Sequence, residues 1–113
     1  MILVCKTFKE LTLTELYDLL KLRTDVFVVE QDCAYPELDD YDQQALHVLG
    51  KQENKIIAYS RILPKDTVYS QVSIGRVAVR EEYRQKKLGQ RLFEFSLEKS
   101  REKHPRETIK IQA

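Results

Sequence analysis

Long apolar runs are missing from this sequence. None approaches the roughly 20 residues that a bilayer-spanning helix needs, and Met1-Ile2-Leu3-Val4-Cys5-Lys6 lacks the basic start and long apolar stretch of a secretory signal. Cysteine is scarce: Cys5 and Cys33 are too few for a disulfide framework or a four-ligand zinc site, so two free thiols in a reducing cytoplasm, and no metal, are expected. With three glycines and three prolines there is no flexible linker, no low-complexity tract and no internal repeat. Charge of one sign is lacking too; a net +1 provides no overall field to recruit nucleic acid or an anionic membrane. What remains is 113 residues, 42% hydrophobic and 33% charged, the make-up of one soluble globular domain spanning 1–113.

The charge is balanced overall but not along the chain. Residues 1–50 hold four basic side chains against ten acidic ones, and residues 80–113 hold ten basic against six acidic. Glu30, Asp32, Glu37, Asp39, Asp40 and Asp42 fall within 13 residues that contain no Lys or Arg, while Arg80, Arg84, Lys86, Lys87 and Arg91 cluster on the other side. Two readings stand at this level: two faces of the protein that attract one another, or one place that holds a cation and another that holds an anion.

Periodicity orders the chain. Ile2–Phe8 reads as a strand. Thr12-Leu13-Thr14-Glu15 is a capping-box pattern, and Leu13, Leu16, Tyr17, Leu20 and Phe27 keep helical spacing behind it. Residues 30–44 read as an irregular acidic segment. Two strands, 45–50 and 56–63, flank a turn at Gln52-Glu53-Asn54-Lys55 and form a hairpin. Val72–Val79 is a long strand whose end, Val77-Ala78-Val79, reads as buried on both faces. A polar loop, 80–87, precedes a helix with Gly89, Leu92, Phe93, Ser96, Leu97 and Ser100 on one face, and Pro105 stops it. Thr108–Ala113 alternates as a final strand. Residues 72–113 thus form a β-loop-α-β unit long enough for a right-handed parallel crossover.

Within that unit, Arg84-Gln85-Lys86-Lys87-Leu88-Gly89 lies between a strand and a helix start. Free N–H groups and the positive end of the helix dipole make such a place suited to an anion, and Gly89 lets a ligand come close. A strand-loop-helix with surface lysines is also common without any ligand. Here the sequence resembles the GNAT superfamily of acyl-CoA-dependent N-acyltransferases, whose pyrophosphate loop runs Gln/Arg-x-x-Gly-x-Gly/Ala; Arg84 and Gly89 match it. The ElaA-type branch is similar over an ordered series of stretches: Leu22-Arg23 and Val26-Phe27-Val28-Val29-Glu30-Gln31, then Cys33 and Tyr35, Leu38-Asp39, Asp42 and His47. Ala58-Tyr59-Ser60-Arg61-Ile62-Leu63 and Ile74-Gly75-Arg76-Val77-Ala78-Val79 complete it.

The resemblance implies an α/β fold, a mixed twisted sheet flanked by helices, and acetyl-CoA as co-substrate with an amine as acceptor. It implies that the backbone of Val77, Ala78 and Val79 holds the pantetheine arm and polarises the acetyl carbonyl, and that Arg84, Gln85, Lys86, Lys87, Leu88, Gly89 and Gln90 cradle the pyrophosphate. Two departures stand out. Lys87 occupies the first glycine position of the loop; if the backbone there is left-handed, lysine costs on the order of 1 kcal/mol. The family domain would also continue past residue 113 into a further helix, carrying a Phe-Tyr-x-x-x-Gly-Phe-like segment, and more strands. The tyrosine that often protonates the departing thiolate has no counterpart at a matching position, and Ser73 stands where some relatives carry a glutamate base.

Glu30 and His47 are the remaining candidates for proton transfer; an imidazole has a suitable pKa near neutrality, although a histidine on a strand is equally at home as a hydrogen-bonded core residue. An incomplete sheet would leave the last strand's edge open to pairing with a second copy. The expected activity is acetyl transfer from CoA to a primary amine of a small molecule or protein, with the acidic 30–42 segment suiting a cationic acceptor. The alternative is an impaired remnant that binds CoA or a partner chain without turnover. Nucleic-acid binding through the basic 80–91 region is disfavoured, since Tyr83 is its sole aromatic and Glu81 and Glu82 interrupt it.

Overall fold

The computed structural model describes residues 1–112, with Gln85 described by its backbone alone; Ala113, expected in the last strand, lies outside the described residues. Five strands, β1 (Ile2–Thr7), β2 (Leu46–Gln52), β3 (Lys55–Leu63), β4 (Val72–Val79) and β5 (Ile109–Ile111), form one sheet in the order β1-β2-β3-β4-β5. The first three pairings are antiparallel and β4 pairs with β5 in parallel, as a crossover through α2 (Leu88–Lys103) requires. Helix α1 (Leu13–Thr24) runs on into a π-helical turn, Asp25–Glu30. The chain is therefore a mixed α/β sheet flanked by two helices. No helix among the described residues is long and apolar enough to cross a membrane.

Each face of the sheet carries its own core. Leu19, Leu22 and Val26 of the first helical stretch pack on Leu49, Ile56, Tyr59 and Ala78. Leu88 and Leu92 of α2 pack on Val48, Ile57, Ile62, Val72 and Ile74. Being covered on both sides explains why β3 is buried from Ile56 to Leu63. Ser96 and Ser100, fully buried, let α2 sit close to the sheet: Ser96 donates to the Leu92 carbonyl at 2.7 Å, so the 2.6 Å contact with Ser60 has the Ser60 hydroxyl as donor. Glu53 and Asn54 both take positive φ (53° and 65°), the backbone that a two-residue hairpin loop needs to match strand twist.

The capping box forms, with Thr12 accepting from the Glu15 amide at 3.0 Å and Glu15 accepting from the Thr12 amide at 2.9 Å. The buried side of α1 differs from the one that spacing suggests. Leu13 (88%) and Tyr17 (70%) are exposed, whereas Glu15, Leu19, Leu22 and Arg23 are buried. The stripe that faces the sheet contains two charged residues, each neutralised by partners distant in sequence, so a polar-versus-apolar pattern points to the wrong side.

Glu15 makes this concrete. Lys6 reaches it at 2.8 Å and Lys51 also bonds to it. Burial would raise its pKa, but the bonds from Lys51, Lys6 and the Thr12 amide prevail and hold it at about 2, against an ordinary 4.5. Because the folded value lies below the unfolded one, this stabilisation is full above about pH 4.5 and is lost as pH falls towards 2. Chemical denaturation across that window is expected to show a loss on the order of 3 kcal/mol. A Glu15→Gln variant should flatten this part of the profile; an unchanged acid limb would sink the assignment.

Candidate acyl-donor site

The edge of β4 is where the fold opens. Up to Ile74 the strand pairs with β5, and the Ile74 carbonyl accepts from the Gln112 amide at 2.9 Å. Arg76 then takes φ 52°, and Arg76 and Val77 together face the single residue Ser60, since Gly75 pairs with Arg61 and Ala78 with Tyr59. Such a bulge reverses the alternation of the strand. Beyond it, the Arg80 amide donates to the Ile57 carbonyl at 2.8 Å, so even-numbered residues now point at β3. The backbone groups of Val77 and Val79 consequently face away from β3, along an edge that β5 does not cover. Without the bulge these groups would bond within the sheet.

This edge lines a cavity of about 600 Å³ walled by Val26, Phe27 and Glu30 from the π-helical turn and by Arg84 from the loop. A second cavity, about 430 Å³, shares Phe27, Gln31 and Val77 with the first and adds Tyr35, Arg76 and Gln112. The two form a cleft with a common wall at Phe27, Gln31 and Val77. Val77 and Val79 are half-buried rather than enclosed on both faces as their run of apolar residues suggests, because this part of β4 borders the cleft.

Beside Val79, the last residue of β4, stands the start of α2. Lys87, at φ 57° and ψ 21°, is left-handed, and it carries no side-chain cap to the helix. The first amide given an intrahelical partner is that of Arg91, bonded to the Lys87 carbonyl at 3.4 Å; those of Leu88, Gly89 and Gln90 belong to the unsatisfied first turn. Leu88 is buried in the core and anchors the turn. A Cβ added to Gly89 would meet only Val79 Cγ2, at 4.0 Å, and no glycine has positive φ. Neither packing nor backbone thus demands glycine here, whereas close approach of a ligand would.

The expected cofactor residues sit at this one place, with different side-chain roles. Arg84 donates through Nε to the Val79 carbonyl at 2.8 Å and through Nη2 to Glu30 at 2.6 Å, so its guanidinium lies across the cavity mouth. Lys86 rests over the Tyr83 ring at 5.4 Å, Lys87 is exposed, and Gln90 turns its amide to Glu94 at 3.2 Å. The side chain of Gln85 lies outside the described residues. Ala78 packs with Leu19, Leu22 and Val26 and turns its backbone to β3, so it lines the cavity without offering an outward amide.

Of the two candidates for proton transfer, Glu30 lines the cavity but is tied to Arg84. His47 is fully buried in β2. Its Nε2 donates to the Asp42 carbonyl at 2.8 Å, so Nδ1 is unprotonated and accepts from the Tyr59 hydroxyl at 2.6 Å. Burial pushes its pKa below the usual histidine value despite the Asp42 carbonyl. His47 is a core residue, placed away from the cleft. Sequence reasoning missed the residues that join the two cavities, Phe27 and Gln31, as cleft walls; a π-helical turn extending a helix has no clear periodic signal. Among the described residues no group of three or more His, Cys, Asp or Glu is gathered to hold a metal ion.

The Acetyltransferase (GNAT) family description matches residues 13–112. The chain is 43% identical to a UPF0039 protein of Schizosaccharomyces pombe over 88% of its length and 65% of that protein's. It is 45% identical to Protein ElaA of Escherichia coli over 79% of its length and 60% of ElaA's. It therefore spans about three-fifths of the length of these curated relatives. The crystal structure of Escherichia coli ElaA superposes with a TM-score of 0.93 over 99% of this chain and 77% of that one, at 38% identity. An acyl-CoA N-acyltransferase of Pseudomonas aeruginosa superposes equally well, with a TM-score of 0.93 at 37% identity over 99% of this chain and 78% of its own. On the match to residues 13–112 and these likenesses in sequence and fold, the chain belongs to the GNAT family of acetyltransferases.

Proposed function

We propose that this protein is an acyl-CoA-dependent N-acyltransferase that takes the acetyl group of acetyl-CoA to a primary amine. One observation carries the reading: the backbone of Val77 and Val79 turns outward along the cavity, and the uncapped start of α2 lies beside the same stretch of strand, a Cβ on Gly89 falling 4.0 Å from Val79 Cγ2. The residues fit the donor. Amides at Leu88, Gly89 and Gln90, with Lys86, Lys87 and Arg84 around them, suit a pyrophosphate, and Gly89 leaves it room. Acetyl-CoA supplies an activated thioester when bound. Outward amides on β4 hold the pantetheine arm and donate to the acyl oxygen as negative charge develops there; such donors are worth roughly 2.7–4 kcal/mol each. The acceptor nitrogen bonds to the acyl carbon, the carbon–sulfur bond breaks, the nitrogen's proton leaves to solvent, and the sulfur departs as thiolate. With a thiol pKa of about 8.5 the thiolate is a tolerable leaving group.

A second reading, CoA binding without turnover, is favoured by the engagement of Glu30 with Arg84 and of His47 within the core. Calorimetric titration of acetyl-CoA, followed by thiol release in the presence of primary amines, separates the two. Micromolar binding with amine-dependent thiol release is expected. Binding without release supports the second reading, and no binding by folded protein overturns both. The short β5, with Ile111 45% exposed, also supports pairing with a second copy along that edge; a concentration-independent monomer in sedimentation velocity would remove that idea.

A further inference from the structure

Three of the six carboxylates in the acidic segment, Glu37, Asp39 and Asp42, are engaged by arginines rather than offered to a substrate. Arg23 bonds to Glu37 at 2.6 Å and to Asp42 at 2.8 Å. Arg61 bonds to Asp39 at 2.7 Å and to Asp42 at 3.0 Å. Arg76 bonds to Glu37 at 3.0 Å and approaches Asp39 at 3.4 Å. Three carboxylates thus meet three guanidiniums, and none of the three carboxylates lines the second cavity. Its described walls are Phe27, Gln31, Tyr35, Arg76, Val77 and Gln112, and the charged residue among them is Arg76.

The bulge at Arg76 turns this side chain towards the acidic segment, and its guanidinium is held there by Glu37, Asp39 and, at 5.6 Å, the face of the Tyr35 ring. Nε and Nη2 are occupied. Nη1 makes no hydrogen bond among the described residues, and unlike Nε of Arg61 and Arg80 it is not a buried atom without a partner. A fixed guanidinium with a donor to spare is built to take a carboxylate.

Resting on the acyltransferase reading above, we propose that the acceptor is an amine that also bears a carboxylate, of the amino-acid type, and that Arg76 binds the carboxylate. The amine then lies towards Val77, on the wall shared with the donor cavity. This reverses the expectation of a cationic acceptor.

The test compares L-amino acids with their decarboxylated amines as acceptors for acetyl-CoA, by thiol release and by calorimetry on CoA-saturated protein. Amino acids are expected to exceed the matching amines by about tenfold or more in kcat/KM. Arg76→Gln should bring the two towards parity through a raised KM for the amino acids with little change for the decarboxylated amines, at a lowered melting temperature because Glu37 and Asp39 lose a partner. Should that variant not fold, Gln112→Glu, on an exposed side chain, decides: a carboxylate in the cavity should depress amino acids and favour the amines. Preference for the decarboxylated amines in the unaltered protein, or a ratio that neither variant moves, overturns the proposal while leaving acyl transfer standing. If no acceptor turns over although CoA binds, the acyltransferase reading fails; Arg76-dependent binding of amino acids then upholds this site, and no binding overturns it.

Discussion

Gly89→Glu is expected to abolish acetyl-CoA binding while leaving the fold intact. A Cβ at residue 89 meets only Val79 Cγ2, at 4.0 Å, and glutamate is a good helix former at a position already helical. Neither the backbone nor the Cβ is therefore strained by the substitution; a carboxylate near a helix start even interacts well with the dipole. What it does is fill the approach to the first-turn amides and place a negative charge where a pyrophosphate would lie. Calorimetry should show affinity reduced by about 100-fold or more, the combined effect of like-charge repulsion and lost amide bonds, with a melting temperature at or slightly above the parent value. Unchanged affinity would mean that the start of α2 is not the phosphate site.

Removing Arg23 is expected to be the most damaging single substitution to stability. Its guanidinium is fully buried, joined to Glu37, Asp42 and the Glu37 carbonyl (3.0 Å) and stacked 5.7 Å from the Tyr59 ring centre. Burial opposes its charge, but Tyr59, Asp42 and Glu37 together hold its pKa well above the usual arginine value. Arg23→Met keeps the volume yet leaves Glu37 and Asp42 short of positive charge in a dry site. Losing one partner of a buried pair costs about 3–5 kcal/mol, a large part of the 5–15 kcal/mol that holds a typical domain together. Denaturant titration at neutral pH is the measurement. A loss below about 1 kcal/mol would show that Arg76 and Arg61 suffice to neutralise the segment. Arg23→Lys should fall between, since one ammonium cannot span both carboxylates as the fork does.

Both predictions concern features that local sequence shows unequally. The start of α2 is legible because its signals are close together: a loop of bases, a glycine, then a helical stripe. Lys87 was expected to be costly if left-handed, and it is left-handed. The arginine–carboxylate lattice gives no comparable signal. Its bonds join residues 14, 19 and 39 positions apart, so the acidic run reads as an open surface until the fold brings the guanidiniums to it. The buried stripe of α1 was misplaced for the same reason, because Glu15 and Arg23 look like solvent-facing residues until their partners are known.

The sequence by itself determined the order of strands and helices, the capping box, the hairpin turn, the parallel crossover and the family. These depend on short-range periodicity, on backbone preferences of a few residues and on ordered motifs, all of which survive in one dimension. Only the tertiary structure decided which amides of β4 face the cleft, because a single bulge at Arg76 reverses the alternation. It also decided that His47 is locked between Asp42 and Tyr59, that Glu37, Asp39 and Asp42 are paired with arginines, and that Arg76 rather than a carboxylate lines the second cavity. Each of these follows from which distant charge or strand a residue meets, and that is settled by packing, not by its neighbours in the chain.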